Sequence, residues 1–546
     1  MKKIVLLFIV LFSVNLYSQE YANDRIIVQL KKDLKNHVEK LSELKDLNFL
    51  FEQNTIAEIR PLDISNSQYL NERPLVIIFN KAVNVEDLVK VLTQTNLFEY
   101  VEFDFIVKGS GTFIQDENSP EPVATTFAIT PNDQYFSRQW GLHNDGTFSL
   151  SPAISGADVK MKDAWEISTG STNISVAIID SGIRMGHPEF AGRLLINQNE
   201  YINGVDDDGN GYIDDVNGWN FVKNNNDPTD DHGHGTNVTG IAVANADNGI
   251  GYAGVDWNCK LLPIKALDIN NLGTTSNLIA SIYYALNRNV NVISMSISGP
   301  GYSAVYHNAV KAAYNANIPF IVSMGNFNNN TLRYPAAFPE TIAVGSTDPN
   351  DQRTAPFFWN SVSGSSYGNH IDVVAPGNYI YGLSRTSDTD YNTYFGGTSM
   401  ATPLVAGIVT LMLSLKPMLT VEQVRSILRN TAQDQVGKPG EDTAGFDQYH
   451  GAGRVNAYEA LLAVQNLSNE QFLNEDLKIY PNPTENTLYV NSKNEVKNIK
   501  IYDFTGRFIQ NAENVSEIDM TTLNQGLYIL EISTDNKKTT VKVIKK

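Results

Sequence analysis

Between residues 132 and 465 short, continuous apolar runs alternate with longer segments of helical periodicity. The runs are Ile174–Asp180 (ISVAIID), Cys259–Leu267, Val290–Ser298, Ile318–Asn326, Thr341–Thr347 and Ile371–Gly377. Strands apolar on both faces and separated by helices predict a parallel sheet covered on both sides, so the fold class of this region is α/β. Residues 19–108 carry a different texture. RIIVQL, PLVIIF and VEFDFIV are strand-like, a charged amphipathic stretch runs through Leu44, and VEDLVKVLTQT from Val85 has helical spacing, which predicts a small α+β domain. From residue 476 to 546, LKIYPNP, TLYVNS, NIKIYDFTGR, GLYILEIS and TTVKVIKK alternate strand and turn, predicting a small C-terminal β-sandwich. Residues 109–131, small, polar and proline-bearing, read as an exposed linker and maturation region, and 466–475 as a second linker.

Composition narrows the classes available. The chain has 546 residues, too many for one core, and 42% of them are hydrophobic, enough for several. Forty-one basic against 60 acidic side chains give a net charge of −19, the wrong sign for tracking phosphates, so no nucleic acid is expected as a partner. Cys259 is the only cysteine, which excludes an intrachain disulfide and a cysteine metal cluster. Lys2 and Lys3 precede the apolar run Ile4–Phe12 and a polar end near Ser18, the pattern of a signal peptide over residues 1–18. No later run reaches the length of a membrane span, so the mature protein is expected to be secreted without a transmembrane segment.

Four positions can carry chemistry. Asp180 ends an apolar strand, where open parallel sheets present functional groups. His232 and His234 lie in DHGHGT, before a helix-like run of small residues, and either imidazole can be the functional one. Ser399 in GGTSMATP begins a strongly apolar helix. There its own N–H and the helix dipole favour an oxyanion. Asn326, past the strand IVSMG, can supply a side-chain amide to the same anion.

The motifs DSG at Asp180, HGT at His234, GN at Asn326 and GTSMATP at Ser399 together resemble the subtilisin-like serine proteases. The resemblance covers about 330 residues. It implies Ser399 as nucleophile, His234 rather than His232 as general base, Asp180 as its orienting partner and Asn326 as oxyanion donor, acting on protein or peptide substrates. Asn237, Thr239, Met324 and the stretch Ser298-Gly299 depart from the commonest pattern of the family, which leaves the substrate preference open.

The run VDDDGNGYIDDVNG sets Asp206, Asp208, Asn210 and Asp214, with Asp215, at the spacing of an oxygen-rich calcium loop. Five carboxylates within ten residues otherwise repel one another. The resemblance implies a second calcium site from Asp133, Glu189 and Asn248. It also implies that residues 19–108 are an inhibitory prodomain, a transient partner cut away between Lys108 and Asn132. The C-terminal segment, through KIYPNP, YDFTGR, LNQGLYILEI and its basic end, resembles the sorting domain of type IX secretion cargo, with that machinery as a partner. A binding protein on a dead protease scaffold is the competing reading, and retention of all four chemical positions argues against it.

Overall fold

The computed structural model describes residues 20–32, 34, 56–63, 74–116, 129–470, 477–492, 495–503, 507–513, 515–534 and 538–546. The expected signal peptide and residues 117–128 of the expected linker lie outside them.

Seven parallel strands form the central sheet, in the order Val373–Pro376, Ile342–Thr347, Phe320–Ser323, Val292–Met295, Ser175–Asp180, Lys260–Lys265 and Trp219–Asn220. Every residue of the four strands from Ser175, Val292, Phe320 and Ile342 is buried, as their unbroken apolar runs require. The chain leaves Ser175–Asp180 for one flank of the sheet and returns to the other at Val292. Asp180 therefore stands at the carboxyl end of the strand where the order reverses, the crevice in which such sheets bind ligands.

Helices Thr275–Asn287 and Ala304–Asn315 begin at Thr274 and Ser303, whose hydroxyls accept the N–H of Asn277 and Tyr306. The helix Thr398–Leu415 packs against five of the sheet strands and against helix His234–Val243. It is long and apolar enough to cross a membrane, yet 89% of it is buried inside this protein. It is a core helix.

The N-terminal strands form an antiparallel sheet in the order Phe98–Gly109, Tyr21–Leu30, Pro74–Phe79, Ile56–Pro61. Strand alternation divides its side chains between two cores. Ile26, Val28, Leu75 and Ile77 meet Leu92 of helix Val85–Gln94, whereas Ile27 and Val76 face the core of the α/β domain. Two carboxylates of strand Phe98–Gly109 cap helices of the larger domain. Glu102 accepts from Ser303 Oγ at 2.5 Å and Ala304 N at 2.8 Å, and Asp104 from Ser276 Oγ at 2.6 Å and Ser276 N at 2.8 Å. Burial raises the pKa of both carboxylates, and these hydrogen bonds oppose it.

Two segments expected as linkers carry regular structure. Within residues 109–115, Gly109 and Thr112–Gln115 are paired as strand, with the side chains of Thr112–Gln115 exposed. Strand Phe98–Gly109 pairs with Leu272–Thr274 and Ile297–Ser298, and Thr112–Gln115 pairs with Thr393–Gly396. The small side chains that suggested a linker are what let the backbone lie this close: a Cβ at Gly109 would be 2.2 Å from Asn271 Oδ1. The second linker also begins later than residue 466, because helix Ala457–Glu470 runs across that point.

The C-terminal unit contains two antiparallel sheets. Thr487–Ser492 lies between Leu477–Tyr480 and Glu517–Asp519, and the other sheet runs Phe508–Glu513, Val496–Asp503, Gly526–Thr534, Lys538–Lys545. Leu488 and Ile518 of the first share one core with Ile499, Ile501, Leu530 and Val541 of the second, which makes the expected sandwich.

Candidate active site

Asp180 ends its strand and His234 opens its helix, and the two meet: His234 Nδ1 is 2.7 Å from Asp180 Oδ1, with both side chains 1% exposed. Two glycines permit the approach. A Cβ at Gly235 would lie 2.1 Å from Gly182 O, and one at Gly182, where φ is +97°, 2.2 Å from Pro228 O. Burial opposes the imidazolium, but the charge and hydrogen bond of Asp180, with Asp230 and the Ser110 backbone, outweigh it, and His234 titrates above the ordinary range.

Asp230 is a residue that the sequence reading missed. Its carboxylate accepts from Ser181 Oγ, Thr236 Oγ1 and the N–H groups of His232, Gly233 and Thr236 at 2.7–2.9 Å, tying the turn after Asp180 to the start of the His234 helix. The signal was an aspartate just ahead of a helix start, an ordinary capping position. His232, the alternative imidazole, lies 6.3 Å from His234 between ring centroids, and burial and the neighbouring His234 lower its pKa.

Ser399 is the second residue of helix Thr398–Leu415 and is fully buried. Its hydroxyl donates to Ser296 O at 3.2 Å. Asn326 is held by Thr398, whose N–H and hydroxyl both donate to Asn326 Oδ1 at 2.9 Å. That fixes the orientation of Nδ2, which faces the open side of Gly397.

The same space contains the chain's own backbone. A Cβ at Gly397 would be 2.5 Å from Ser110 O and 2.9 Å from both Asn326 Nδ2 and Gly111 Cα. Ser110 N donates to Ser296 O at 3.0 Å and Gly109 N to Asn271 O at 3.1 Å. A cavity of about 310 Å³ flanks Lys108–Thr112, walled by Ser298, Asn326, Phe327, Trp359 and Val362.

The acidic loop does not converge as its spacing suggested. Asp208 and Asp215 do approach each other and are joined by Glu200, another residue missed in the sequence, their ligand atoms lying within 4.8 Å of one another. Asp206 instead accepts the N–H groups of Asn210 and Gly211, and Asp214 those of Asn203 and Gly204. Asn210 donates its amide to Asp208 and Asp215, and Asp215 is also tied to Arg288 at 3.2 Å and to Tyr284 at 2.6 Å. Elsewhere Asp133, Glu189 and Asn248 come together. Asn248 Nδ2 donates to Glu189 Oε2 at 3.0 Å, and Asp133 binds Asp247 N through Oδ2 while its buried Oδ1 has no partner among the described residues. Burial, reinforced by Asp133, raises the pKa of Glu189 to about 8, and burial raises that of Asp133 to about 6.

A model of the Subtilase family matches residues 171–453, the span that contains Asp180, His234, Asn326 and Ser399. The chain belongs to the subtilase family. This subtilase is 34% identical to thermitase of Thermoactinomyces vulgaris over 335 residues, 61% of this chain and 99% of that protein. It is 30% identical to the thermophilic serine proteinase of Bacillus sp. (strain AK1) over 442 residues, 81% of this chain and 88% of the relative. A third relative, subtilisin-like protease 1 of Plasmodium berghei, is 36% identical over 319 residues, 55% of this chain and 50% of the relative. The chain is thus a serine endopeptidase of the subtilisin-like kind. Residues 478–546 match a secretion system C-terminal sorting domain, and the subtilase is a secreted protein, extracellular or at the cell surface.

Proposed function

We propose that this secreted subtilase is made as a zymogen and hydrolyses peptide bonds through Asp180, His234 and Ser399. The Ser399 hydroxyl turns from Ser296 O toward His234 Nε2, loses its proton there and attacks the substrate carbonyl carbon. Asn326 Nδ2 and the Ser399 N–H stabilise the oxyanion, the side-chain donor contributing on the order of 3 kcal/mol. Asp180 keeps the His234 proton on Nδ1 and stabilises the imidazolium while it delivers a proton to the departing amine. Water then cleaves the ester by the reverse sequence. The observation that carries this reading is the Asp180–His234 contact, with the Ser110 carbonyl and the Asn326 amide meeting at Gly397, two residues before Ser399.

Residues 19–108 act as the inhibitory partner. The support is the strand that fills the cleft and the capping of two catalytic-domain helices by Glu102 and Asp104. The sorting domain supports type IX secretion machinery as the export partner, and proteins or peptides are the substrates.

Calcium fits two groups of residues by their chemistry. Asp133, Glu189 and Asn248 offer hard oxygen donors, including a buried carboxylate oxygen without a partner. Glu200, Asp208 and Asp215 offer three more carboxylates, one of them already balanced by Arg288. When bound, calcium supplies stability rather than chemistry, in a chain without disulfides. The residue roles are tested by comparing casein hydrolysis by the wild type and Ser399→Ala. Loss of hydrolysis is expected, and equal rates would overturn the assignment.

A further inference from the structure

Residues 431–456 join helix Val421–Asn430 to helix Ala457–Glu470 with only isolated bridges, so something other than regular structure must hold this long connection in shape. Gln433 and Arg454 close its neck by exchanging two backbone hydrogen bonds, at 2.7 and 3.0 Å. Inside the loop, Asp442, Asp447 and His450 each bring one ligand atom to within 4.8 Å of the others. Asp442 is 5% exposed and His450 fully buried. Neither ring nitrogen of His450 has a hydrogen bond among the described residues. An imidazole has at least one N–H to donate, and the neutral ring also has a lone pair to offer, so burying it with neither satisfied is costly. The carboxylates lack a cation too. Among the described residues they accept only backbone N–H groups, Asp442 from Gln435 and Gly437, Asp447 from Thr443, Tyr449 and His450. Two neighbouring carboxylates, one of them buried, call for a balancing positive charge. Gly437 keeps the space beside the ring open: a Cβ there would be 2.6 Å from His450 Nε2 and 3.2 Å from Asp442 Cβ, although its backbone is not in the left-handed region.

We propose that Asp442, Asp447 and His450 bind one divalent transition-metal ion of the zinc type, which staples this loop. One imidazole nitrogen and two carboxylate oxygens form a donor set that zinc accepts, with a further oxygen completing its shell. Calcium takes oxygen donors, so the imidazole separates this site from the two all-oxygen groups that calcium fits. The ion balances the two carboxylates and gives a ring nitrogen of His450 its partner. The end of the loop is already tied to the edge of the central sheet, where Ala452 N donates to Asp372 O at 2.9 Å and Val374 N to Gly453 O at 3.0 Å. The metal adds the closure that the middle of the loop lacks, and because its ligands converge only in the folded loop, binding stabilises that fold. The proposal is independent of Ser399 as nucleophile.

The test uses full-length Ser399→Ala, stripped of metal by a chelator and returned to saturating calcium so that the oxygen sites are filled. Zinc is then titrated by calorimetry, and the retained metal is counted by elemental analysis after gel filtration. One zinc per chain is expected, and at about a hundred times Kd it should raise the melting temperature by roughly 5–10 °C. His450→Gln and Asp447→Asn, each added to Ser399→Ala, should weaken zinc binding by ~100-fold or more and abolish that rise. His307→Gln, whose ring nitrogen lies 2.7 Å from Glu340 in another part of the domain, should change neither. Zinc binding undiminished in His450→Gln or in Asp447→Asn would overturn the proposal. Two results on the Ser399→Ala protein alone decide it even where those variants fail to fold. Zinc that does not bind beside saturating calcium overturns it, and so does an X-ray absorption spectrum of the bound zinc that shows an all-oxygen shell rather than one imidazole among oxygens.

Discussion

The candidate catalytic residues and the acidic loop make opposite use of the sequence. Asp180, His234, Asn326 and Ser399 are spread over more than two hundred residues, yet each stands at a strand end or helix start, Asp180 meets His234, and Asn326 is held by Thr398 next to Ser399. Asp206, Asp208, Asn210, Asp214 and Asp215 are close neighbours in the chain, yet only some of their side chains approach one another. Asp206 and Asp214 are spent on the turns that their neighbours make. Regular elements fix the direction of a terminal side chain, whereas in a loop each carboxylate first satisfies the nearest backbone N–H. Contiguity in sequence is therefore weaker evidence for a shared ligand than convergence from several elements.

The comparison can be broken at several points. The largest effect is expected in the catalytic cluster: His234→Ala should lower kcat on a peptide substrate by roughly 10⁶-fold. A loss of only a few-fold would remove His234 from the reaction. Asn326→Ala should lower kcat roughly 10²–10³-fold with little change in KM, since its amide matters when charge has formed on the oxygen. A change confined to KM would assign Asn326 to substrate binding instead. The pH profile carries a sign. Because His234 must be neutral to accept the proton and its pKa is raised, kcat/KM should fall as pH drops through a value above the ordinary histidine range. A limb below that range would contradict the Asp180 contact as its cause.

Smaller effects separate the two carboxylate groups. At calcium concentrations near a hundred times Kd, the metal should raise the melting temperature of inactive Ser399→Ala by roughly 5–10 °C. Adding Glu189→Gln should remove much of that rise, while Asp206→Asn should change it by no more than ~1–2 °C. Equal losses would restore the acidic loop to the position its spacing suggested. The metal-free protein adds a check by linkage. Glu189 and Asp133 have folded pKa values of about 8 and about 6, above their unfolded values, so each binds more protons folded than unfolded. Their contribution to stability is greatest at low pH and is lost as pH rises toward 8, and Glu189→Gln should flatten that loss.

Much of the fold was legible because the strands of the central sheet are unbroken apolar runs and the C-terminal strands alternate. The four candidate positions stood out because each lies in a short glycine-bearing motif. Asp230 and Glu200 were not, since nothing local distinguishes a capping or ligand-facing carboxylate from an ordinary one. The path of residues 109–115 was hidden for a different reason. Small, polar, glycine-rich composition suits both an unpaired linker and a strand paired along its length, and only the partner strands decide between them.

The central claim is that Ser399, activated by His234, is the nucleophile. It is tested most directly by labelling the processed protein with a fluorophosphonate and mapping the adduct by peptide mass spectrometry. The account predicts a single adduct at Ser399, abolished in His234→Ala. An adduct on another serine, or labelling at Ser399 undiminished by the loss of His234, would contradict it.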